Sequence, residues 1–87
     1  MAKYELIFRP SVWKDLDPIP KSDVRRLLKR IDELADNPRP HGSTKLSGQE
    51  AYRIRQGNYR IVYVIEDTRL IITVVKVGHR REVYDRI

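Results

Sequence analysis

The strongest periodicity in the chain lies between residues 22 and 36. Val24, Leu27, Leu28, Ile31, Leu34 and Ala35 recur at three- and four-residue spacing, and Arg25, Arg26, Lys29, Arg30, Asp32, Glu33 and Asp36 fill the opposite side. That stripe predicts an amphipathic helix, with Ser22 or Asp23 near its start and Asn37-Pro38 as its stop. Upstream, Tyr4-Glu5-Leu6-Ile7-Phe8 alternates and ends at Arg9-Pro10, which reads as a first strand. Ser11 then caps a short helix through Leu16, with Val12, Trp13 and Leu16 facing inward, and Asp17-Pro18-Ile19-Pro20 breaks it.

Beyond residue 37 the period changes from helix to strand. Residues 37–48 are rich in Pro, Gly, Ser and Thr and read as a connector, with a short extended piece at Lys45-Leu46. Tyr52-Arg53-Ile54-Arg55 alternates strictly, Tyr59 to Ile65 is rich in Tyr, Ile and Val, and Leu70 to Val77 is a β-branched run. Residues 56–58 and 66–69 are turns. The expected fold is a single α+β domain over 1–87: two N-terminal helices on one face of an antiparallel sheet, in the order β-α-α-β-β-β, with room for one extra short strand.

The turn at Gly57-Asn58 has further consequences. Glycine first in a two-residue loop suits a type II′ hairpin. The register then pairs Gln56 with Tyr59, Arg55 with Arg60, Ile54 with Ile61 and Arg53 with Val62. Side chains alternate between faces, so Arg53, Arg55 and Arg60 share one face, and Tyr52, Ile54, Tyr59, Ile61 and Tyr63 take the helix-covered one. Like charges opposed across a strand pair repel by up to about 1 kcal/mol, and a phosphate placed between them reverses the sign. The third strand of the meander returns Gly78-His79-Arg80-Arg81 to the same end, and Tyr84 follows on the charged tail.

Composition agrees with that picture. The 87 residues carry 18 Lys+Arg against 12 Asp+Glu, a net charge of +6, which favours a polyanionic partner. Arginines that hold phosphates beside an aromatic ring that stacks on an unpaired base suit single-stranded RNA. There is no cysteine, which excludes disulfides, thiolate metal sites and cysteine nucleophiles. His41 and His79 lack metal-motif spacing. No apolar stretch is long enough to cross a bilayer, and Met1 to Glu5 lacks the pattern of a signal peptide, so the expected location is the cytoplasm.

The ordered set of Tyr4 to Phe8, Lys14-Asp15-Leu16, Leu34 to Gly42, residues 45–48, Tyr52 to Arg55, Gly57 to Tyr63 and Gly78 to Tyr84 resembles the RelE toxins of the RelE/ParE superfamily, the toxin half of toxin–antitoxin pairs. The resemblance covers nearly the whole chain. It implies a metal-independent endoribonuclease, without a cofactor, that enters the ribosomal A site beside 16S rRNA. Such an enzyme cuts mRNA by attack of a ribose 2′-hydroxyl on the adjacent phosphate, leaving a 2′,3′-cyclic phosphate and a 5′-hydroxyl. It also implies a cognate RelB-like antitoxin. Arg60, Arg80 and Tyr84 fall at the family's catalytic positions, and Lys45 joins Arg53 and Arg55 as an expected substrate-binding residue.

The chain departs from the pattern in having arginines at 53 and 55, where the best-described RelE has lysines. Arginine does not give up its proton, so proton removal passes to His79 or Tyr84. Two other readings stay open: a ParE-like toxin that poisons gyrase without cutting RNA, and a basic RNA-binding module without chemistry.

Overall fold

A computed structural model of the chain describes residues 3–46 and 50–79. The elements follow in the order β1 (Glu5–Phe8), α1 (Pro10–Leu16), α2 (Lys21–Leu34), β2 (Thr44–Lys45), β3 (Ala51–Gln56), β4 (Tyr59–Glu66) and β5 (Ile71–His79). The strands form one sheet in the order β1-β5-β4-β3-β2. Two helices on one face of that sheet make the expected α+β fold.

In one respect the sheet differs from expectation. It is mixed: β2 to β5 pair antiparallel, but β1 runs parallel to β5, with Glu5 opposite Ile71 and Phe8 opposite Val74. Alternation shows that a segment is a strand but does not name its partner, and here the partner lies at the other end of the sequence.

The helix stripe behaves as its spacing requires. Leu27, Ile31 and Leu34 are fully buried, and Val24 and Leu28 pack partly exposed against the same core. With Val12 and Leu16 of α1 they cover Tyr52, Ile54, Ile61, Tyr63, Ile65, Ile72, Val74 and Val77 of the sheet. In α1 two expectations fail. Pro10 takes the first helical position, so Arg9 rather than Ser11 is the N-cap, with no side-chain capping bond. Trp13 is 53% exposed. Val12 and Leu16, four residues apart, already fill the inward side of this seven-residue helix, so Trp13 lies on the flank and stacks on Phe8 with ring centroids 5.0 Å apart.

β5 also departs from simple alternation. Tyr63 pairs with Val74 but Val62 with Lys76, which leaves Val75 as the extra residue of a β-bulge. Val74 and Val77, three apart, therefore both face the helices, whereas Val75 joins Leu46, Ala51 and Val62 in a second small cluster on the helix-free face. The strand starts at Ile71 rather than Leu70, which sits in the preceding turn with φ +53°. It runs on through His79 rather than stopping near Val77.

Candidate nucleic-acid interface

The β3–β4 hairpin has the register that its turn predicts. Gly57 has φ +60° and Asn58 is not in the positive region, which is the type II′ combination. Gln56 lies opposite Tyr59, Arg55 opposite Arg60 and Arg53 opposite Val62. In a two-residue hairpin the closing pair, Gln56 and Tyr59, is the hydrogen-bonded one. Arg55 and Arg60 are therefore the non-bonded pair, whose Cβ atoms come within about 4.5–5.5 Å. Arg55 is exposed, and Arg53 and Arg60 are part-exposed. On the far side of Arg60 the partner in β5 is Gly78, which puts no side chain beside it. Three guanidinium groups thus share the helix-free face near one end of the sheet, next to the apolar cluster of Leu46, Ala51, Val62 and Val75.

His79 is not brought to that face. It lies opposite Tyr59, with ring centroids 6.1 Å apart at 75°, on the helix side of the sheet. The bulge at Val75 is the reason: strict alternation from Ile72 would turn residue 79 toward the arginines, and the extra residue reverses the parity. His79 lines a cavity of about 340 Å³ with Lys14, Asp15, Pro18, Ile19 and Tyr59. The Tyr59 hydroxyl donates to Asp23 Oδ2 at 3.1 Å; burial, then that carboxylate, raise its pKa.

Lys45 also stands apart from the arginines. It pairs with Tyr52 in β2, at the opposite end of β3 from the turn, and its Nζ is 3.2 Å from Glu50 Oε1. Arg80 and Tyr84 lie outside the described residues.

The charge along the sheet is polarised. At the end away from the arginine pair, Glu50 and Asp67 gather around Arg39, and Glu66 pairs with Arg69. Arg39 donates to both Asp67 oxygens at 3.2 and 2.8 Å and to the Tyr52 hydroxyl at 2.9 Å, and its guanidinium lies 5.1 Å from the Tyr52 ring centre. The Asp67 carboxyl is held below its usual pKa by Arg39 first and by the Tyr4 hydroxyl second, which donates at 2.6 Å. Among the described residues no group of three or more His, Cys, Asp or Glu side chains could hold a metal ion. No helix among them is long and apolar enough to cross a membrane.

Periodicity could not reveal Arg39 or Asp15, because their partners are distant in sequence. Asp15 Oδ2 accepts the backbone N–H of Val77 at 3.1 Å, a contact 62 positions apart.

Comparison with known proteins gives this arrangement a family. A family model described as the ParE toxin of the type II toxin–antitoxin system, parDE, matches residues 6–84. An Escherichia coli protein named as a RelE-like toxin is 35% identical, over 90% of this chain and 84% of its own length. The mRNA interferase toxin RelE of Escherichia coli K12 is 28% identical, over 93% of this chain and 90% of its own. Among solved structures, the archaeal RelE–RelB complex from Pyrococcus horikoshii superposes with a TM-score of 0.79 at 28% identity, covering 95% of this chain and all of the matched one. With the family model and the solved fold both matched across almost the full length, the chain belongs to the RelE/ParE family of type II toxin–antitoxin systems and is a RelE-like toxin within it.

Proposed function

We propose that this toxin is a ribosome-dependent endoribonuclease that cuts mRNA in the A site. The ribose 2′-hydroxyl attacks the adjacent phosphate, the bond to the 5′-oxygen breaks, and a 2′,3′-cyclic phosphate and a 5′-hydroxyl remain. The observation that carries the reading is the Arg55–Arg60 pair, with Arg53 on the same face. A neutral scaffold gains nothing from two guanidinium groups set across a non-bonded pair, whereas a phosphate between them turns repulsion into two charge-assisted hydrogen bonds. In this reading Arg60 and Arg80 stabilise charge on the scissile phosphate, Arg53 and Arg55 hold the backbone, and Tyr84 stacks on a base. Lys45, ion-paired at the far end of β3, contributes only to the general positive field. His79, turned to the helix side, is given no step at the arginine face.

Two of the solved relatives are archaeal RelE–RelB complexes, and the proposal includes a RelB-like antitoxin whose acidic segment covers the arginines. It also places the toxin in the cytoplasm, where ribosomes are.

The test adds purified protein to translating ribosomes and maps the mRNA ends. Cleavage with a 5′-hydroxyl product is expected, and Arg80→Ala should lower the rate by about 100-fold or more, the usual loss on removing one preorganised charge-stabilising group. Wild-type rates in Arg80→Ala would remove that role. The match to a model named for ParE favours a second reading, inhibition of gyrase. Loss of supercoiling activity with intact mRNA would establish it in place of the first.

A further inference from the structure

The charges of α2 are placed against the stability of the helix. Between residues 21 and 30 it carries Lys21, Arg25, Arg26, Lys29 and Arg30 against one acid, Asp23, and then Asp32, Glu33 and Asp36 follow with no cation among them. A helix is stabilised by acids in its first turns and by cations in its last, because its backbone dipole is positive at the N-terminus. Here the order is reversed. Arg25 with Lys29, and Arg26 with Arg30, also set like charges four residues apart, where they repel. Two carboxylates offset part of this: Asp23 lies 3.1 Å from Arg26, and Glu33 lies 3.4 Å from Arg30. Arg25 and Lys29 are exposed and have no carboxylate partner among the described residues.

The basic half of α2 lies at the same end of the domain as the arginine pair of the sheet. Asp23 accepts from Tyr59 beside the hairpin turn, and Arg26, Lys29 and Arg30 line a recess of about 280 Å³ with Gln56, the residue next to Arg55. The acidic end of the helix leads to Pro38 and Arg39, where Glu50 and Asp67 gather. The helix layer and the sheet layer are thus polarised in the same sense, and positive charge passes round the hairpin from one face of the domain to the other. A single strand laid on the helix-free face uses Arg53, Arg55 and Arg60 and leaves the cations of α2 for something else.

A protein interface has an apolar centre, whereas a nucleic-acid interface is polar and strongly positive. Among the described residues the exposed large apolar side chains are Ile7, Trp13 and Leu70, and none lies on this ridge. Nor does an aromatic residue stand between Arg25 and Arg30 to stack on an unpaired base. Such a surface fits phosphates alone, as a folded RNA presents them. Resting on the ribosome-dependent reading above, we propose that the outer face of α2, at Arg25, Arg26, Lys29 and Arg30, docks on the phosphate backbone of ribosomal RNA while the sheet arginines hold the mRNA.

The test uses the full chain. Arg25→Gln/Lys29→Gln removes two cations and keeps good helix formers in their place. Lys3→Gln/Arg69→Gln removes the same charge at the acidic end, where Lys3 precedes Tyr4 and Arg69 pairs with Glu66. Affinity for vacant ribosomes is measured by sedimentation across a salt series, and affinity for a short single-stranded RNA by fluorescence anisotropy. The α2 variant should bind ribosomes about tenfold more weakly, with a salt slope lower by about 2, one for each lost phosphate contact. Its affinity for the single strand, and the ribosome affinity of the Lys3/Arg69 variant, should stay within about twofold of the parent. At saturating ribosomes the α2 variant should cut mRNA at the parent rate. It should melt no lower than the parent, since a like-charge pair has gone.

Unchanged ribosome affinity in the α2 variant overturns the proposal. So does an equal loss in the Lys3/Arg69 variant, which would make the effect one of net charge. Polyglutamate that binds more tightly than an RNA duplex of equal charge, and is lost in the α2 variant, would give the ridge to an acidic protein instead. A parent that binds ribosomes and leaves mRNA intact refutes the ribonuclease reading alone, because the docking comparison still stands. A parent that binds no ribosomes refutes both.

Discussion

Replacing Tyr63 by Phe should give a stability difference that changes sign with pH. Tyr63 is fully buried in β4, stacks on Tyr52 at 6.0 Å, and donates its hydroxyl to the Pro38 carbonyl at 2.8 Å, which ties the connector to the sheet. Phenylalanine keeps the ring and leaves that carbonyl without its donor, at a cost of about 1.5 kcal/mol near neutrality. Burial, as the leading cause, pushes the Tyr63 pKa up to about 12, against an ordinary value near 10. The folded state therefore holds this proton more tightly than the unfolded chain. The associated stability is fully present below pH 10 and is lost as the pH rises toward 12, by about 2.7 kcal/mol in all. Tyr63→Phe has no such proton to lose. The parent should be more stable at pH 7, the two proteins should match near pH 11, and the variant should be more stable beyond that. Urea midpoints across a pH series, with equal slopes, measure the difference directly. Curves that stay parallel from pH 8 to 12 would refute the reasoning, because they would mean that the hydroxyl titrates alike in both states.

Asp67, whose carboxyl Arg39 and Tyr4 hold below its usual pKa, makes the opposite contribution. Its stabilisation is present above about pH 4 and is lost as the pH falls through the lower folded value, so Asp67→Asn should flatten the acid limb of the stability curve while the parent's steepens. Arg55→Glu should weaken RNA binding by a similar factor for every sequence and reduce its salt dependence, since phosphate contacts carry no sequence information. The same variant should weaken antitoxin binding if acidic residues cover the arginine face. Parent-level antitoxin affinity would mean that neutralisation works by bulk.

The elements that could be read from the sequence are those set by local chemistry. The stripe from Val24 to Ala35 required a buried helix face, and a glycine-led two-residue turn left only one register for Arg55 and Arg60. What could not be read depends on contacts between distant positions. The parallel pairing of β1 with β5, the acceptor that Asp15 offers to Val77, and the Arg39 contacts with Asp67 and Tyr52 leave no local pattern. The bulge at Val75 is a third kind of case. Val74-Val75-Lys76-Val77 is compatible with two parities, and burial of Val75 beside Leu46 and Ala51 selects the one that sends His79 to the helix side. Trp13 was misplaced because a seven-residue helix has room inside for only Val12 and Leu16.

The pairing of Glu5 with Ile71 also dictates when the molecule comes into being. During synthesis at roughly 5–20 residues per second, the first strand waits about 3 to 13 s for the segment that completes its hydrogen bonds. Within that interval the hairpin from Arg53 to Val62 closes locally and offers Ile54 and Ile61 to the apolar side of α2, while Ile72, Val74 and Val77 are still missing from the core. The arginine pair is thus assembled early, on a chain that still lacks β5, the inner strand that joins β1 to β4. β5 is the last of the described elements to be made, so β1 gains its partner late, and a chain interrupted before residue 71 lacks that pairing.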